Sequence, residues 1–373
     1  METVDIQLRP QTGHNVGPSL TEYYRGTDET GGATHLEEVA PTPIAVDYTK
    51  AAQFAGDDIT TLFFPYYATQ NNTDSSSTQL DTSSGVYEHI WTGPSTSGQT
   101  LSFSMEDQGD PSVTDDDLNR LVYNVTPTRV SVNGARRGVI SVTADLAGGK
   151  AEGDSSAPTA GTFSRTKLFN FGMSHCFTST TLTAAGGSSW FAPDGGLDTD
   201  AECLTNTELG GSPVSLTSAL QEFNIECTQG LDLQRSMAPG NLTAAFAGYV
   251  PTGSDWVFTN EQQQVEFEML FNSNHAAGSN LVETLLDEYE AGTRRAWEIW
   301  IVHPDPQAGA ASNAYFGMKV TCPTMTPVSW VEENDGFGER YVRVRYRAGY
   351  NTTDTYGWHF AVGSSFATDI GAL

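Results

Sequence analysis

Four carboxylates fall within nine residues in segment 194–202, which also contains two glycines. Closely spaced carboxylate oxygens in a glycine-containing loop are the ligands that a hard cation such as calcium requires. The candidate ligands are Asp194, Asp198, Asp200 and Glu202. Their spacing differs from that of an EF-hand loop, and a solvated acidic loop explains the same composition. We therefore predict no bound metal and treat these four side chains only as candidates.

Apolar residues alternate with carboxylates at Glu266 and Glu268 in segment 264–271, and segment 296–302 carries a single carboxylate, Glu298, at the equivalent alternate position. A period of two is typical of an antiparallel strand with one buried and one solvated face. The alternation predicts that Glu266, Glu268 and Glu298 lie on a polar face of a sheet.

Three arginines, Arg343, Arg345 and Arg347, alternate in the same way along residues 340–347. A cationic strand in an acidic protein requires acidic neighbours. Two arrangements remain open: a charge ladder with adjacent strands of one sheet, or a contact between subunits.

The motifs of common enzyme classes do not occur. The seven histidines are scattered, and the sequence contains no HExxH, no GxSxG and no phosphate-binding glycine pattern. The four cysteines lack the CxxC spacing of a zinc site. We predict no catalytic residue and no cofactor, and the enzyme class that remains open is a glycosidase-like β protein with paired carboxylates.

The charge balance excludes another class of function. Among 373 residues, 18 are Lys or Arg and 46 are Asp or Glu, which gives a formal net charge of −28. A protein that grips nucleic acid by neutralising phosphates carries the opposite charge. Solubility or a saline habitat explains the acidic excess equally well. The first residues lack the basic and apolar regions of a signal peptide, so we expect assembly in a cytoplasm.

Short apolar runs separated by turn residues predict a mainly β fold. The clearest helix starts near Ser279, which can cap it, and ends before Gly292, which can close it. Its apolar face, which we expect to cover a sheet, consists of Leu281, Val282, Leu285, Leu286 and Tyr289. A second helix is predicted over residues 56–68, where Pro65 must kink or end it.

The same order of elements occurs twice, between residues 40 and 150 and between residues 220 and 350. Each copy predicts a strand, a helix, a strand and a long hairpin interrupted by proline. We therefore predict two tandem β-sandwich or barrel domains, each with one flanking helix, at residues 1–150 and 166–373. A linker at 151–165 separates them, and a long loop occupies about 185–213 of the second domain.

This order of elements resembles the tail tube proteins of long-tailed, non-contractile bacteriophages, in the tandem-domain form. The resemblance rests on residues 87–93, 100–106, 129–134 and 138–149 of the first half, and on residues 223–234, the helix after Ser279 and the closing hairpin of the second. It covers about three quarters of the chain and rests on element order, since no invariant motif is present.

The resemblance implies a structural virion subunit that assembles with itself into a ring, here a homotrimer that imitates a hexamer. Rings stack into the tail tube, whose partners are the tape measure, tail terminator and distal tail proteins. Genomic DNA passes through without specific binding, and Glu266, Glu268 and Glu298 are candidates for the channel wall. The alternatives are a decoration or baseplate protein of a virion and, third, a carbohydrate-binding or hydrolytic β domain.

Overall fold

Antiparallel strands make up most of the computed structural model, which confirms the predicted mainly β fold. The structure describes residues 19–24, 36–42, 44–51, 64–67, 69–70, 78–79, 85–94, 101–107, 118–148, 150–153, 169–184, 190–191, 196–230, 263–273, 279–304, 314–334 and 339–364.

Among the described residues, ten strands lie before residue 154: β1 (Ser19–Tyr24), β2 (Leu36–Thr42), β3 (Ile44–Ala51), β4 (Thr69–Gln70), β5 (Thr78–Gln79), β6 (Tyr87–Gly93), β7 (Leu101–Asp107), β8 (Leu118–Ala135), β9 (Ser141–Gly148) and β10 (Lys150–Gly153). Eight follow: β11 (Ser174–Ser179), β12 (Val214–Ser215), β13 (Leu220–Thr228), β14 (Gln264–Asn272), β15 (Arg295–Val302), β16 (Gly317–Asn334), β17 (Arg340–Ala348) and β18 (Trp358–Ser364). The helices are α1 (Asp200–Thr205) and α2 (Ser279–Ala291), with 3₁₀ turns at Phe64–Tyr66 and Phe171–Met173.

One scheme of strand pairing is present twice. In the first half, β3 pairs with β9, β9 pairs with the second half of β8, and β7 and β10 pair with the first half of β8. In the second half, β14 pairs with β17, β17 with the second half of β16, and β15 and β18 with its first half. We call these the first and second pairing units, and their strands follow the same chain order.

The two units also share their irregularities. Both long strands, β8 and β16, have 18 residues, and each shifts register just after a proline, between Pro127 and Arg129 and between Pro327 and Ser329. A proline cannot donate to the ladder, so a bulge there bends the strand. Each long strand therefore leaves one set of partners and joins another at the bulge.

The units are joined edge to edge by β13. This strand pairs with the second half of β8 on one side and with β14 on the other. A second connection is the pairing of β6 with β18. Strands from both halves thus belong to one 16-stranded sheet, and the predicted domain boundaries near residues 150 and 165 stay a prediction.

The core lies between the sheet and its covering segments. The largest fully buried side chains include Trp91, Trp297 and Trp300. On α2, Leu285 is buried, Leu286 and Tyr289 are half-buried, and the Tyr289 ring stacks on Trp330 at 6.3 Å. Helix α2 thus contacts β16 as expected of a sheet-covering helix; Leu281 and Val282 lie on the same helix, with side chains outside the described part.

Three elements differ from the sequence predictions. Residues 151–153 of the expected linker belong to β10, and residues 200–205 of the expected loop form α1. Residues 64–66 form a 3₁₀ turn around Pro65, and residues 56–63 of the expected first helix lie outside the described residues. No helix in the part of the chain that the structure describes is long and apolar enough to cross a membrane.

Candidate functional site: the charged face of the shared sheet

The three alternating arginines of β17 face carboxylates of β14 on the same side of the sheet. The register places Arg345 opposite Glu268 and Arg347 opposite Glu266. The Arg347 Nε donates to Glu266 Oε1 at 2.6 Å, and Arg345 also pairs with Glu266. Of the two arrangements left open by the sequence, a charge ladder within the chain is present.

Arg343 has the largest number of ionic contacts in this ladder. Its guanidinium donates to Glu333 at 2.8 Å, to Glu268 at 3.1 Å and to Glu222 at 3.2 Å. These contacts, with Glu333 first, outweigh partial burial and raise the pKa of Arg343 above its ordinary value. The three carboxylates come from β16, β14 and β13, so one side chain connects three strands.

The ladder continues into the first pairing unit. Arg129 of β8 donates to Glu226 of β13 at 2.9 Å and lies 3.5 Å from Asp145 of β9. The hydrogen bond to Glu226 is the main reason that the pKa of Arg129 is raised. The charged face is therefore continuous across β13, where the two units meet.

Ion pairing leaves this face close to neutral, although the whole chain carries −28. Its ion pairs unite four arginines, Arg129, Arg343, Arg345 and Arg347, with six carboxylates, Asp145, Glu222, Glu226, Glu266, Glu268 and Glu333. Glu266 is only 6% exposed, whereas the Glu268 side chain is 36% exposed. The acidic excess of the protein lies mostly elsewhere.

A shallow depression of about 380 Å³ lies on this face, at the junction of the units. Its lining includes Glu222 and Glu268, the pair of carboxylates that glycoside hydrolysis would require. Both are bonded to Arg343. The charge ladder therefore accounts for the positions of both carboxylates.

Glu298 does not lie on this face, and its prediction as a solvated strand residue was wrong. Its side chain is fully buried, and it accepts hydrogen bonds from Thr207 Oγ1 at 2.6 Å and Thr321 Oγ1 at 2.7 Å. All residues of β15 are buried, because residues 190–191 and 196–209 cover the side of the strand on which Glu298 lies. The alternation of residue types along β15 indicated that the two faces of the strand differ in polarity, but it did not show that the polar face is open to solvent.

A second buried carboxylate, Glu208, lies beside Glu298 and was not identified from the sequence. The backbone N–H of Glu208 donates to Glu298 at 3.1 Å. The Glu208 carboxylate contacts Lys319 Nζ at 3.0 Å and His359 Nδ1 at 2.9 Å. Lys319 is fully buried and lies 3.0 Å from the centre of the Trp190 ring. The available signal was Lys319 itself, a lone charge inside the apolar run 314–320.

Two of the four candidate metal ligands, Asp200 and Glu202, make other contacts. Asp200 contacts His175 Nδ1 at 3.1 Å, and Glu202 accepts from the backbone N–H of Thr199 at 2.9 Å in a capping box for α1. Asp194 lies outside the described residues, and Asp198 lies in the turn before α1. Among the residues that the structure describes, no group of three or more His, Cys, Asp or Glu is placed to hold a metal ion.

Comparison with known proteins leaves the site to be interpreted from its geometry: no family model matches the chain, and no curated protein matches it.

Proposed function

We propose that this chain is a structural subunit of a tail tube, which closes into a ring with copies of itself and stacks into the tail of a long-tailed bacteriophage. The observation that carries the proposal is the duplicated pairing unit. Because β13 joins the first unit to the second edge to edge, the chain already contains one example of the junction that a ring would repeat.

The pairing partners of the long strands support a second junction between chains. The second half of β8 has β9 on one side and β13 on the other. Among the described pairings, the second half of β16 has only β17, and β3 has only β9. Exposed edges of this kind pair with another chain unless they are protected. Val328 and Val331 on this part of β16 are 40% and 49% exposed.

The internal junction also suggests which segment would lie between β3 of one chain and β16 of the next. Strand β13 precedes β14 in the chain, and the hairpin of β1 and β2 precedes β3, the counterpart of β14. In the proposed ring, a strand of this hairpin lies between β3 of its own chain and β16 of the next chain. Three chains then supply six pairing units, which is the trimeric ring of a tandem-domain tube protein.

The charged face fits the wall of a conduit. Each arginine of this face is paired with a carboxylate of the same face, and the carboxylates outnumber the arginines. The face therefore offers DNA phosphates no unpaired arginine. Glu268, whose side chain is 36% exposed, keeps its role as a wall candidate. Glu266 is buried and contributes by pairing with Arg345 and Arg347, and the buried Glu298 lies off this face. DNA would pass without specific binding, and the tape measure, terminator and distal tail proteins remain the proposed partners. The chain is proposed to be non-enzymatic and to reside in the virion.

Electron microscopy of the purified chain tests ring closure. We expect three-subunit rings or tubes from the wild type, and single chains from a Val328→Lys and Val331→Lys double variant, because charged residues on an edge strand oppose strand pairing. The matched control is Val214→Lys, which places a lysine at a valine that is 42% exposed on β12. The control should form rings, and circular dichroism should be the same for all three proteins.

Other outcomes select the alternatives. Six-subunit rings would retain the tube but contradict the trimer. A wild-type chain that stays single at every concentration, and binds a capsid or baseplate surface, would indicate a decoration or baseplate protein. A single chain whose melting temperature rises with added oligosaccharide would indicate the carbohydrate-binding class.

A further inference from the structure

The charge ladder is unbalanced around Arg343. This one guanidinium pairs with the carboxylates of Glu222, Glu268 and Glu333. Elsewhere in the ladder the ratio is reversed, since two arginines share the carboxylate of Glu266. Three carboxylates on a single arginine leave negative charge uncompensated at this point of the ladder.

The donors of Arg343 are already engaged. Its Nε donates to Glu333, its Nη1 to Glu268 Oε1 and its Nη2 to Glu222 Oε2. The second carboxylate oxygens of Glu222 and Glu268 accept no hydrogen bond from the residues that the structure describes. An ionised carboxylate accepts through both of its oxygens. Each of these two side chains therefore retains an acceptor for a further donor.

A third acceptor beside them is buried without a partner. Asn224 of β13 lies opposite Glu268 of β14 on one side and Asn133 of β8 on the other. The Oδ1 atom of Asn224 is buried and accepts no hydrogen bond within the described part of the chain. Native proteins rarely leave a buried acceptor unpaired, and such an atom indicates a donor that the protein itself does not supply.

The three acceptor residues line one depression. It has a volume of about 380 Å³ and lies where the two pairing units meet. Apolar side chains complete the lining, namely Ala135, Val139 and Phe223. Val139 is 45% exposed, so an apolar surface is accessible beside the acceptors. The depression thus combines negative charge, acceptors without donors and an apolar wall.

We propose that this depression binds a primary ammonium group carried on a short aliphatic chain. An ammonium group has three N–H donors and one positive charge. The donors match Glu222, Glu268 and Asn224, and the charge offsets the excess of carboxylates around Arg343. The aliphatic chain lies against Val139. The binding site does not depend on ring closure, because one chain supplies every lining residue.

A divalent cation fits the same residues less well. Calcium takes about six to eight oxygen ligands, several of them carboxylates. Within the described ranges, no group of three or more His, Cys, Asp or Glu is placed to hold a metal ion. Directional N–H donors therefore suit this lining better than a hard cation does. The ammonium group can belong to a free diamine or to a lysine side chain of another protein.

Titration calorimetry of the whole chain at low salt tests the site. We expect 1,4-diaminobutane and N-acetyllysine amide to bind with one site per chain, and binding should weaken as salt is added. Tetramethylammonium carries the same charge per nitrogen but no N–H donor, so it should bind at least about tenfold more weakly. Binding of the lysine derivative alone would identify a lysine of a partner protein as the source of the ammonium group.

Three variants locate the amine in the depression. Asn224→Ala and Glu268→Gln should each weaken binding by about tenfold, because each removes one acceptor for the ammonium group. Glu333→Gln is the matched control, since it removes a carboxylate from Arg343 without lining the depression. We expect it to change the affinity by less than about threefold. The melting temperature of each variant shows whether it is folded.

Several outcomes would overturn the amine site. Binding that does not saturate, or that is equal for tetramethylammonium, would show only a general attraction of cations to a chain of net charge −28. Equal affinities of Asn224→Ala, Glu268→Gln and Glu333→Gln would contradict the depression as its location. Calcium binding tighter than the diamine, and competing with it, would replace the amine by a metal. Rings that form without amine binding would retain the proposed function and overturn this site alone.

Discussion

Glu208 is a buried carboxylate that contacts two basic side chains, Lys319 at 3.0 Å and His359 at 2.9 Å. Burial alone would raise its pKa, but His359 and Lys319 outweigh burial and hold the pKa well below its ordinary value of 4.5. Tyr356 adds a longer contact of 3.4 Å, and burial raises the pKa of that phenol. These contacts of Glu208 hold the described residues of segment 190–209 against β15, β16 and β18. A segment whose sequence is typical of a loop is thereby ordered.

Replacing Glu208 by Gln should destabilise the protein by about 3–5 kcal/mol at pH 7, since it leaves the buried Lys319 without its carboxylate. Because the folded pKa of Glu208 is depressed, its ionised form contributes stability that is fully present above about pH 4.5. That contribution is lost as the pH falls from there through the folded pKa. Urea unfolding at pH 7, 5 and 3.5 should therefore show a difference between variant and wild type that is constant down to pH 5 and smaller at pH 3.5.

The control for this series is Glu290→Gln on the exposed side of α2, which should match the wild type. A Glu208→Gln protein as stable as the wild type at pH 7 would mean that the buried charges are not coupled as the distances indicate.

Arg343 allows a separate test of the charge ladder. Arg343→Gln should cost about 1 kcal/mol, because the three ion pairs are partly exposed and screened. The loss should shrink in 1 M salt, measured by urea unfolding. Arg340→Gln, at an exposed arginine three residues earlier, should change stability by less than about 0.5 kcal/mol. Equal losses for the two variants would contradict a specific ladder at Arg343.

At the scale of elements, the β8–β9 hairpin shows what local sequence cannot decide. Asn133-Gly134 is a strong turn signal, yet both residues lie in β8, and the turn follows at Arg136–Gly138. Gly134 is required for another reason. A Cβ atom there would lie 2.4 Å from Phe223 Cε1 and 2.8 Å from Ile140 Cδ1. The glycine permits the close contact between β8 and β13, which no local signal reveals.

Gly134→Ala should therefore destabilise the protein by about 2 kcal/mol, since the added methyl group must displace a buried aromatic ring. Thermal unfolding is the measurement, and Ala135→Ser, at the exposed next residue, is the control. A melting temperature unchanged by Gly134→Ala would show that β8 and β13 are not in close contact.

The elements that the sequence predicted are those whose pattern is local. Helix α2, β14, β15 and β17 follow from periodicity. The pairing of Glu266 and Glu268 with the three arginines was only one of two arrangements that the sequence left open, and the register of β14 and β17 establishes it. The burial of Glu298 depends on Thr207, Glu208 and Thr321, which are remote in sequence. Strand β10 depends on its pairing with the remote β8. Helix α1 is short, but it begins at a local capping box of Thr199 and Glu202, a signal that the sequence analysis did not use.

At the scale of the whole molecule, the pairing unit occurs twice. The repeated order of elements could therefore be recognised in the sequence although no invariant motif is present. Matching bulges after Pro127 and Pro327 indicate two units that retained their pairing while their side chains diverged. Ring closure and stacking are therefore best tested by variants that alter one unit and leave the other unchanged.

The two 18-residue strands have a mechanical consequence. Each belongs to one set of partner strands before its proline and to another after it, so a continuous backbone connects the two sets. Tension applied to one set is transmitted to the other through a peptide chain, and the two sets cannot separate without breaking ladder hydrogen bonds along one half of the strand. A tube built from such subunits would resist shear in the direction of its strands.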